Sequence, residues 1–199
     1  MIGGNMALNN GRAAGRIVLI LGGARSGKST YAENMAKQLS EKVLYLATAL
    51  ITDEDMADRI RKHRESRPES WPTAERYKTF ELLAEEPTFQ SSEVVLLDCL
   101  TLMMTNLMFD IDLDYERATP ELIQEVEERI KMEIDGLIEV VKQFRKTLII
   151  VSNEVGLGLV PSYKLGNYFR DISGRMNQHV ASIADEAVFM VSGLPIKLK

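Results

Sequence analysis

Gly22, Gly27, Lys28 and Ser29 fall at the spacing G-x-x-x-x-G-K-[ST] inside the stretch GGARSGKS. Glycines at those positions let backbone N–H groups converge on phosphate oxygens, and a helix starting there adds the positive end of its dipole. In that setting Lys28 neutralises the β and γ phosphates of a nucleoside triphosphate, and the Ser29 hydroxyl ligates Mg²⁺. The whole loop, Gly22, Gly23, Ala24, Arg25, Ser26, Gly27, Lys28 and Ser29, is the candidate phosphate cradle. A partner carboxylate is at hand in Asp98, which ends the apolar run VVLLD. An acidic side chain at the C-terminal end of a strand can reach the Mg²⁺ shell. The competing reading of Asp98 is a cap for a helix starting near Leu100.

A second chemistry is suggested by DRIRKHRESRP. Around His63 stand Arg59, Arg61, Lys62, Arg64 and Arg67, set against Asp58 and Glu65. Clustered positive charge disfavours a protonated imidazole, and a neutral ring nitrogen is what a nucleophile needs. Arginines placed there would also stabilise charge on the oxygens of an attacked phosphate. The alternative is a solvated basic helix face carrying an incidental histidine. His179, followed by Val180 and Ala181 in an ordinary helical pattern, reads as structural.

These residues need a scaffold that presents them together. RIVLIL (16–21), VLYLATA (43–49), VVLLD (94–98) and TLIIVSN (147–153) are short, continuously apolar runs, the pattern of strands buried on both faces of a parallel sheet. Helical patterns alternate with them. Tyr31, Met35 and Leu39 are spaced by four after the Gly-rich loop. TDEDMADRIRKHRES has Thr52 as its N-cap and Met56, Ile60 and His63 on one face. The stretch 120–146 carries the stripe Leu122, Val126, Ile130, Ile134, Leu137, Val141 and Phe144, and a further helix spans about 163–184. AVFMVSG, a Gly-Leu-Pro turn and IKLK read as a closing hairpin at one sheet edge. The expectation is an α/β fold, a mostly parallel sheet with helices on both faces and an antiparallel C-terminal hairpin, formed by residues 16–199 as one domain behind a flexible leader at 1–15.

The 199 residues carry a formal net charge of −5, which argues against general affinity for nucleic acid or anionic lipid, so phosphate binding must be local. No apolar run is long enough to span a bilayer. The one cysteine, Cys99, excludes an internal disulfide, suits a reducing cytosol, and sits in apolar VVLLDCLTL as a buried small side chain. A cytoplasmic protein is expected.

GGARSGKS, YLATA, the segment D-x-x-M-x-x-R-I-x-x-H-x-x-x-R-P (53–68), W-x-T-A-E (71–75), LLDCLT with TN in the next helix, SNEVGLGLVP and FRDISGRMNQ together resemble the bifunctional adenosylcobinamide kinase/adenosylcobinamide-phosphate guanylyltransferase family of cobalamin biosynthesis. The last two motifs carry most of the specificity, because no generic P-loop kinase requires them. The resemblance runs from about Ile17 to Lys199 and implies a RecA-like P-loop fold, a homotrimer and two reactions. The first moves the terminal phosphoryl of ATP or GTP to the aminopropanol hydroxyl of adenosylcobinamide. In the second a histidine attacks the α-phosphorus of GTP, pyrophosphate leaves, and GMP passes to adenosylcobinamide phosphate to give adenosylcobinamide-GDP.

By the same resemblance the nucleotide-bearing histidine falls on His63. Some relatives have two adjacent histidines here, whereas this chain has Lys62 then His63. Ala47, Thr48 and Ala49 resemble a second nucleotide-contacting segment, and Arg64, Glu65, Ser66 and Arg67 resemble the run lining the bound nucleotide. Glu75 and Asp98 resemble two acidic positions that contact guanosine. For Glu75 the chemistry agrees, since one carboxylate accepts from both N1–H and the 2-amino group of guanine, a pair adenine does not offer. Its alternative is a solvated helix carboxylate. Arg170, Asp171, Arg175 and Asn177 read equally as subunit or corrinoid contacts and as a polar helix face. Two other readings of the whole stay open: a plain small-molecule P-loop kinase in which His63 only binds phosphate, and a RecA-like nucleotide-binding module without small-molecule chemistry.

Overall fold

The computed structural model describes residues 15–50, 58, 61, 64 and 67–199. Seven strands form one sheet: β1 (Ile17–Gly22), β2 (Val43–Ala47), β3 (Thr73–Glu75), β4 (Val94–Asp98), β5 (Thr147–Asn153), β6 (Glu186–Val191) and β7 (Leu194–Lys197). Their order is β3-β2-β4-β5-β1-β6-β7, and every neighbouring pair is parallel except β6 with β7. The helices are α1 (Lys28–Leu39), α2 (Pro87–Ser91), α3 (Leu100–Phe109), α4 (Pro120–Gln143) and α5 (Lys164–Ile183), with a 3₁₀ segment at Phe80–Glu85.

Continuous apolarity in the strands follows from cover on both faces. Ile17, Leu19 and Leu21 of β1 pack into the cluster that includes Met103, Ile130, Ile134 and Ile172 from α3, α4 and α5. Val18 and Ile20 pack on the other face with Ala32 and Ala36 of α1 and with Trp71. All six β1 residues are buried. Among the described residues no helix is long and apolar enough to cross a membrane.

Boundaries differ from the sequence expectation where local polar bonds decide them. Strand β2 stops at Ala47, because Thr48 turns its N–H and hydroxyl toward the start of α3. Helix α4 starts at the expected Pro120, with Thr119 as cap, but ends at Gln143. Its buried stripe includes Ile123 and Val140, while Leu122 and Phe144 remain partly exposed. The closing turn is Ser192–Gly193 rather than Gly-Leu-Pro: both residues have positive φ (50° and 81°), which suits a two-residue hairpin, and Leu194 and Pro195 already lie on the edge strand. β3 was not expected at all. Three residues long, it is too short for a periodicity signal.

Candidate functional site

The register of the sheet brings the predicted residues to one edge. Ala47 lies level with Glu75 on β3 and with Asp98 on β4, so the three end their strands side by side. Gly22 ends β1, level with Asn153 and Met190. This is the carboxyl edge of the parallel strands, where open α/β sheets bind ligands.

The loop from Gly22 to Ser29 is held from two sides. Gly193 N–H, at the tip of the β6–β7 turn, donates to the Ser26 carbonyl at 2.9 Å, and Glu154 N–H donates to the Gly22 carbonyl at 3.0 Å. Gly22 leaves no room for a side chain: a Cβ there would lie 2.8 Å from the Met190 carbonyl oxygen. Gly27, the residue before α1, has φ +92°, and a Cβ on it would lie 3.3 Å from Gly193 Cα. Ala24 and Arg25 at the crest are exposed, and Arg25 has φ 57°.

Inside the loop, Lys28 Nζ donates to the Gly23 carbonyl at 3.0 Å. Burial lowers its pKa below the ordinary lysine value, an effect that the nearby Asp98 carboxylate opposes. The Ser26 hydroxyl is buried and has no hydrogen-bond partner among the described residues. An unsatisfied donor beneath a converging backbone loop fits an anion that completes it.

Asp98 does not cap α3. That helix begins after Cys99, which gives it no side-chain cap. Instead the Asp98 Oδ2 accepts from the Tyr45 hydroxyl at 3.0 Å. The Arg67 guanidinium lies 3.5 Å above the centre of the Tyr45 ring. Tyr45 is buried, and burial, followed by the Asp98 charge, raises its pKa well above the usual tyrosine value.

As a magnesium site the donor set is sparse. Among the described residues no group of three or more His, Cys, Asp or Glu side chains could hold a metal. Ser29 and Asp98 supply hard oxygens, and magnesium commonly takes one or two such ligands with the remainder from phosphates and water. The residues therefore fit an ion that arrives with a nucleotide.

Several predicted residues have other surroundings. Thr48 is 1% exposed, and its hydroxyl bonds to both the N–H (2.9 Å) and the carbonyl (2.7 Å) of Cys99. Asn106, the Asn of the TN pair, donates to the Thr48 carbonyl at 2.7 Å, so both motifs tie β2 to α3. Ala49 is half-buried beside them. Glu75 is exposed and stands on a strand, not on a helix. Cys99 is buried, which pushes its thiol up to about 11 and keeps it protonated. His179 Nε2 lies 2.6 Å from Asp135 Oδ1, a structural pairing.

In the basic segment Asp58, Arg61 and Arg64 are helical, and Arg61 pairs with Asp58 at 2.9 Å. His63, Glu65 and Ser66 lie outside the described residues, as do Thr52, Met56 and Ile60. Within FRDISGRMNQ, Arg175 grips Glu127 with two bonds, at 2.6 and 2.7 Å. Asn177 is buried and joins the Ser152 hydroxyl (2.7 Å) and the Asn153 carbonyl (3.1 Å). Tyr45 and Ser152 were not singled out from the sequence. Their only signal was membership of YLATA and SNEVGLGLVP.

Comparison with known proteins gives a consistent result. Residues 18–198 match the family model described as cobinamide kinase / cobinamide phosphate guanyltransferase. The bifunctional adenosylcobalamin biosynthesis protein CobU of Escherichia coli (strain K12) is 43% identical over 183 residues, 92% of this chain and 99% of that protein. CobU of Salmonella typhimurium is 40% identical over the same shares of both chains, and CobP of Pseudomonas aeruginosa is 38% identical over 91% of this chain and 96% of its own. The flagellar accessory protein FlaH of Methanocaldococcus jannaschii, at 16% identity and a TM-score of 0.47, covers 94% of this chain and 79% of its own.

Proposed function

The chain belongs to the cobinamide kinase / cobinamide phosphate guanyltransferase family, and from that premise we propose that it performs two transfers in sequence in cobalamin biosynthesis. In the first, the aminopropanol hydroxyl of adenosylcobinamide attacks the γ-phosphorus of ATP or GTP. The bond to the β-phosphate oxygen breaks, and the nucleoside diphosphate leaves. In the second, a neutral ring nitrogen of His63 attacks the α-phosphorus of GTP and pyrophosphate leaves. A phosphate oxygen of adenosylcobinamide phosphate then displaces the histidine, giving adenosylcobinamide-GDP and restoring the imidazole.

The observation that carries this reading is the alignment of the phosphate loop, Asp98 and Glu75 along one sheet edge in a chain of this family. Lys28 and the loop N–H groups offset charge on the phosphates. Gly22 to Ser29 and the 47–49 segment line the nucleotide, with Glu75 reading guanine. Arg64, Glu65, Ser66 and Arg67 flank it beside His63. Ser29 and Asp98 would hold Mg²⁺, which when bound neutralises phosphate charge in the transition state. Residues 16–199 act as one catalytic domain, in a cytoplasmic homotrimer of about 67 kDa, three times the 22.4 kDa chain.

The test is incubation with Mg²⁺ and GTP labelled at the α- or the γ-phosphorus, with His63→Ala as control. Label retained after denaturation from α-labelled GTP alone, stable to alkali, labile to acid and absent in the variant, is the expected result. Protein that consumes nucleotide in the presence of cobinamide but retains neither label would reduce the reading to a plain kinase.

A further inference from the structure

We infer that Tyr45 is a positioning residue for the metal-binding carboxylate, acting through Asp98. The inference rests on the reading above that Asp98 belongs to the Mg²⁺ shell.

Tyr45 sits in the middle of β2, level with Leu96 on β4, so Asp98 is its diagonal neighbour two residues toward the carboxyl edge. The ring is buried against the α1 face with Trp71 and Ile20, and packing fixes where its hydroxyl can be. That hydroxyl donates to Asp98 Oδ2 at 3.0 Å. Among the described residues it is the hydrogen-bond partner the carboxylate has, and no cation there closes on Asp98 as an ion pair. A carboxylate held by one oxygen keeps one plane and one rotamer, and its second oxygen is the one left to complete a metal shell. The Arg67 guanidinium lies over the ring, 3.5 Å from its centre, and adds a second contact that holds the ring in place. A phenylalanine at this position would fill the same space without the hydroxyl. Core packing therefore does not account for the tyrosine, whereas orientation of Asp98 does. Hydrogen bonds to ligating carboxylates are worth about tenfold to a hundredfold in metal affinity.

Tyr45→Phe, Asp98→Asn and the double variant are compared by Mn²⁺ titration, followed by electron paramagnetic resonance, in the presence of a non-hydrolysable GTP analogue. Binding of a fluorescent GTP analogue in chelator and the melting temperature are measured on the same samples. The expected result is that Tyr45→Phe weakens Mn²⁺ about tenfold, binds metal-free nucleotide as the parent does, and adds nothing to Asp98→Asn in the double variant. If Asp98→Asn weakens Mn²⁺ and Tyr45→Phe does not, the inference is overturned and the reading of Asp98 stands. If Asp98→Asn itself binds Mn²⁺ like the parent, the reading of Asp98 fails. Loss of metal-free nucleotide binding in Tyr45→Phe to the same degree as Mn²⁺ would mark the tyrosine as general support and also overturn the inference.

Discussion

The phosphate role proposed for Lys28 requires a full positive charge where burial disfavours that charge. Its folded pKa is below its ordinary value of 10.5. In the window between the two, the unfolded chain holds the proton and the folded chain has released it, so stability rises with pH there. The cost of burying the ammonium is complete below the folded pKa and fades as pH climbs toward 10.5. Lys28→Met lacks this dependence: denaturant melts from neutral to alkaline pH should show the parent gaining on the variant. The same substitution should lower phosphoryl transfer about a hundredfold to a thousandfold, as loss of one preorganised charge does elsewhere. Glu75 presents the opposite case, an exposed carboxylate at a strand end. Glu75→Gln retains an acceptor but loses the charge, and calorimetric titration should show GTP weakened about tenfold to a hundredfold with ATP unchanged.

At the scale of elements, the phosphate loop depends on what packs against it as much as on its own glycines. Gly22→Ala would drive a Cβ to within 2.8 Å of the Met190 carbonyl on β6, whereas a Cβ on Gly23 meets nothing within 4 Å. The melting temperature should therefore fall for Gly22→Ala and hold for Gly23→Ala. Asn177 performs the corresponding task on the other sheet face, where it bonds to the Ser152 hydroxyl and the Asn153 carbonyl. Asn177→Ala leaves a buried hydroxyl and a carbonyl without that partner and should cost about 2 kcal/mol, or about 4–8 °C in thermal melting. Elements with long periodic or continuous apolar patterns were legible in the sequence: four of the parallel strands, α1, α4, α5 and the hairpin. What escaped was decided by contacts between elements. β3 exists because Tyr45, Leu46 and Ala47 offer it a pairing edge, and β2 ends at Ala47 because Thr48 is claimed by Cys99. Tyr45 could not be recognised as an Asp98 partner until the register placed them on one diagonal.

For the molecule as a whole, the question is whether two transfers that begin by attack at two different phosphorus atoms use one nucleotide site or two. The sequence supplied the loop, the carboxylates and the basic segment as separate motifs, and only the sheet order places Gly22, Asp98 and Glu75 along a common edge, with β5 between β4 and β1. A β5-wide gap is one strand spacing on either side, about 10 Å from β4 to β1, comparable to the reach of a triphosphate. On the proposed reading a nucleoside triphosphate would lie with its phosphates in the loop and its base toward β3, one molecule being attacked at its γ-phosphorus and, after the diphosphate leaves, a second GTP in the same site at its α-phosphorus. A shared site makes the consequences of substitution unequal. Lys28→Met should impair both the covalent labelling by α-labelled GTP and the phosphorylation of cobinamide, whereas His63→Ala should abolish labelling and leave phosphorylation within about a factor of three of the parent, because the nucleophile proposed at His63 acts in the second transfer alone. Full labelling in Lys28→Met with phosphorylation lost would instead require a second nucleotide site away from the loop.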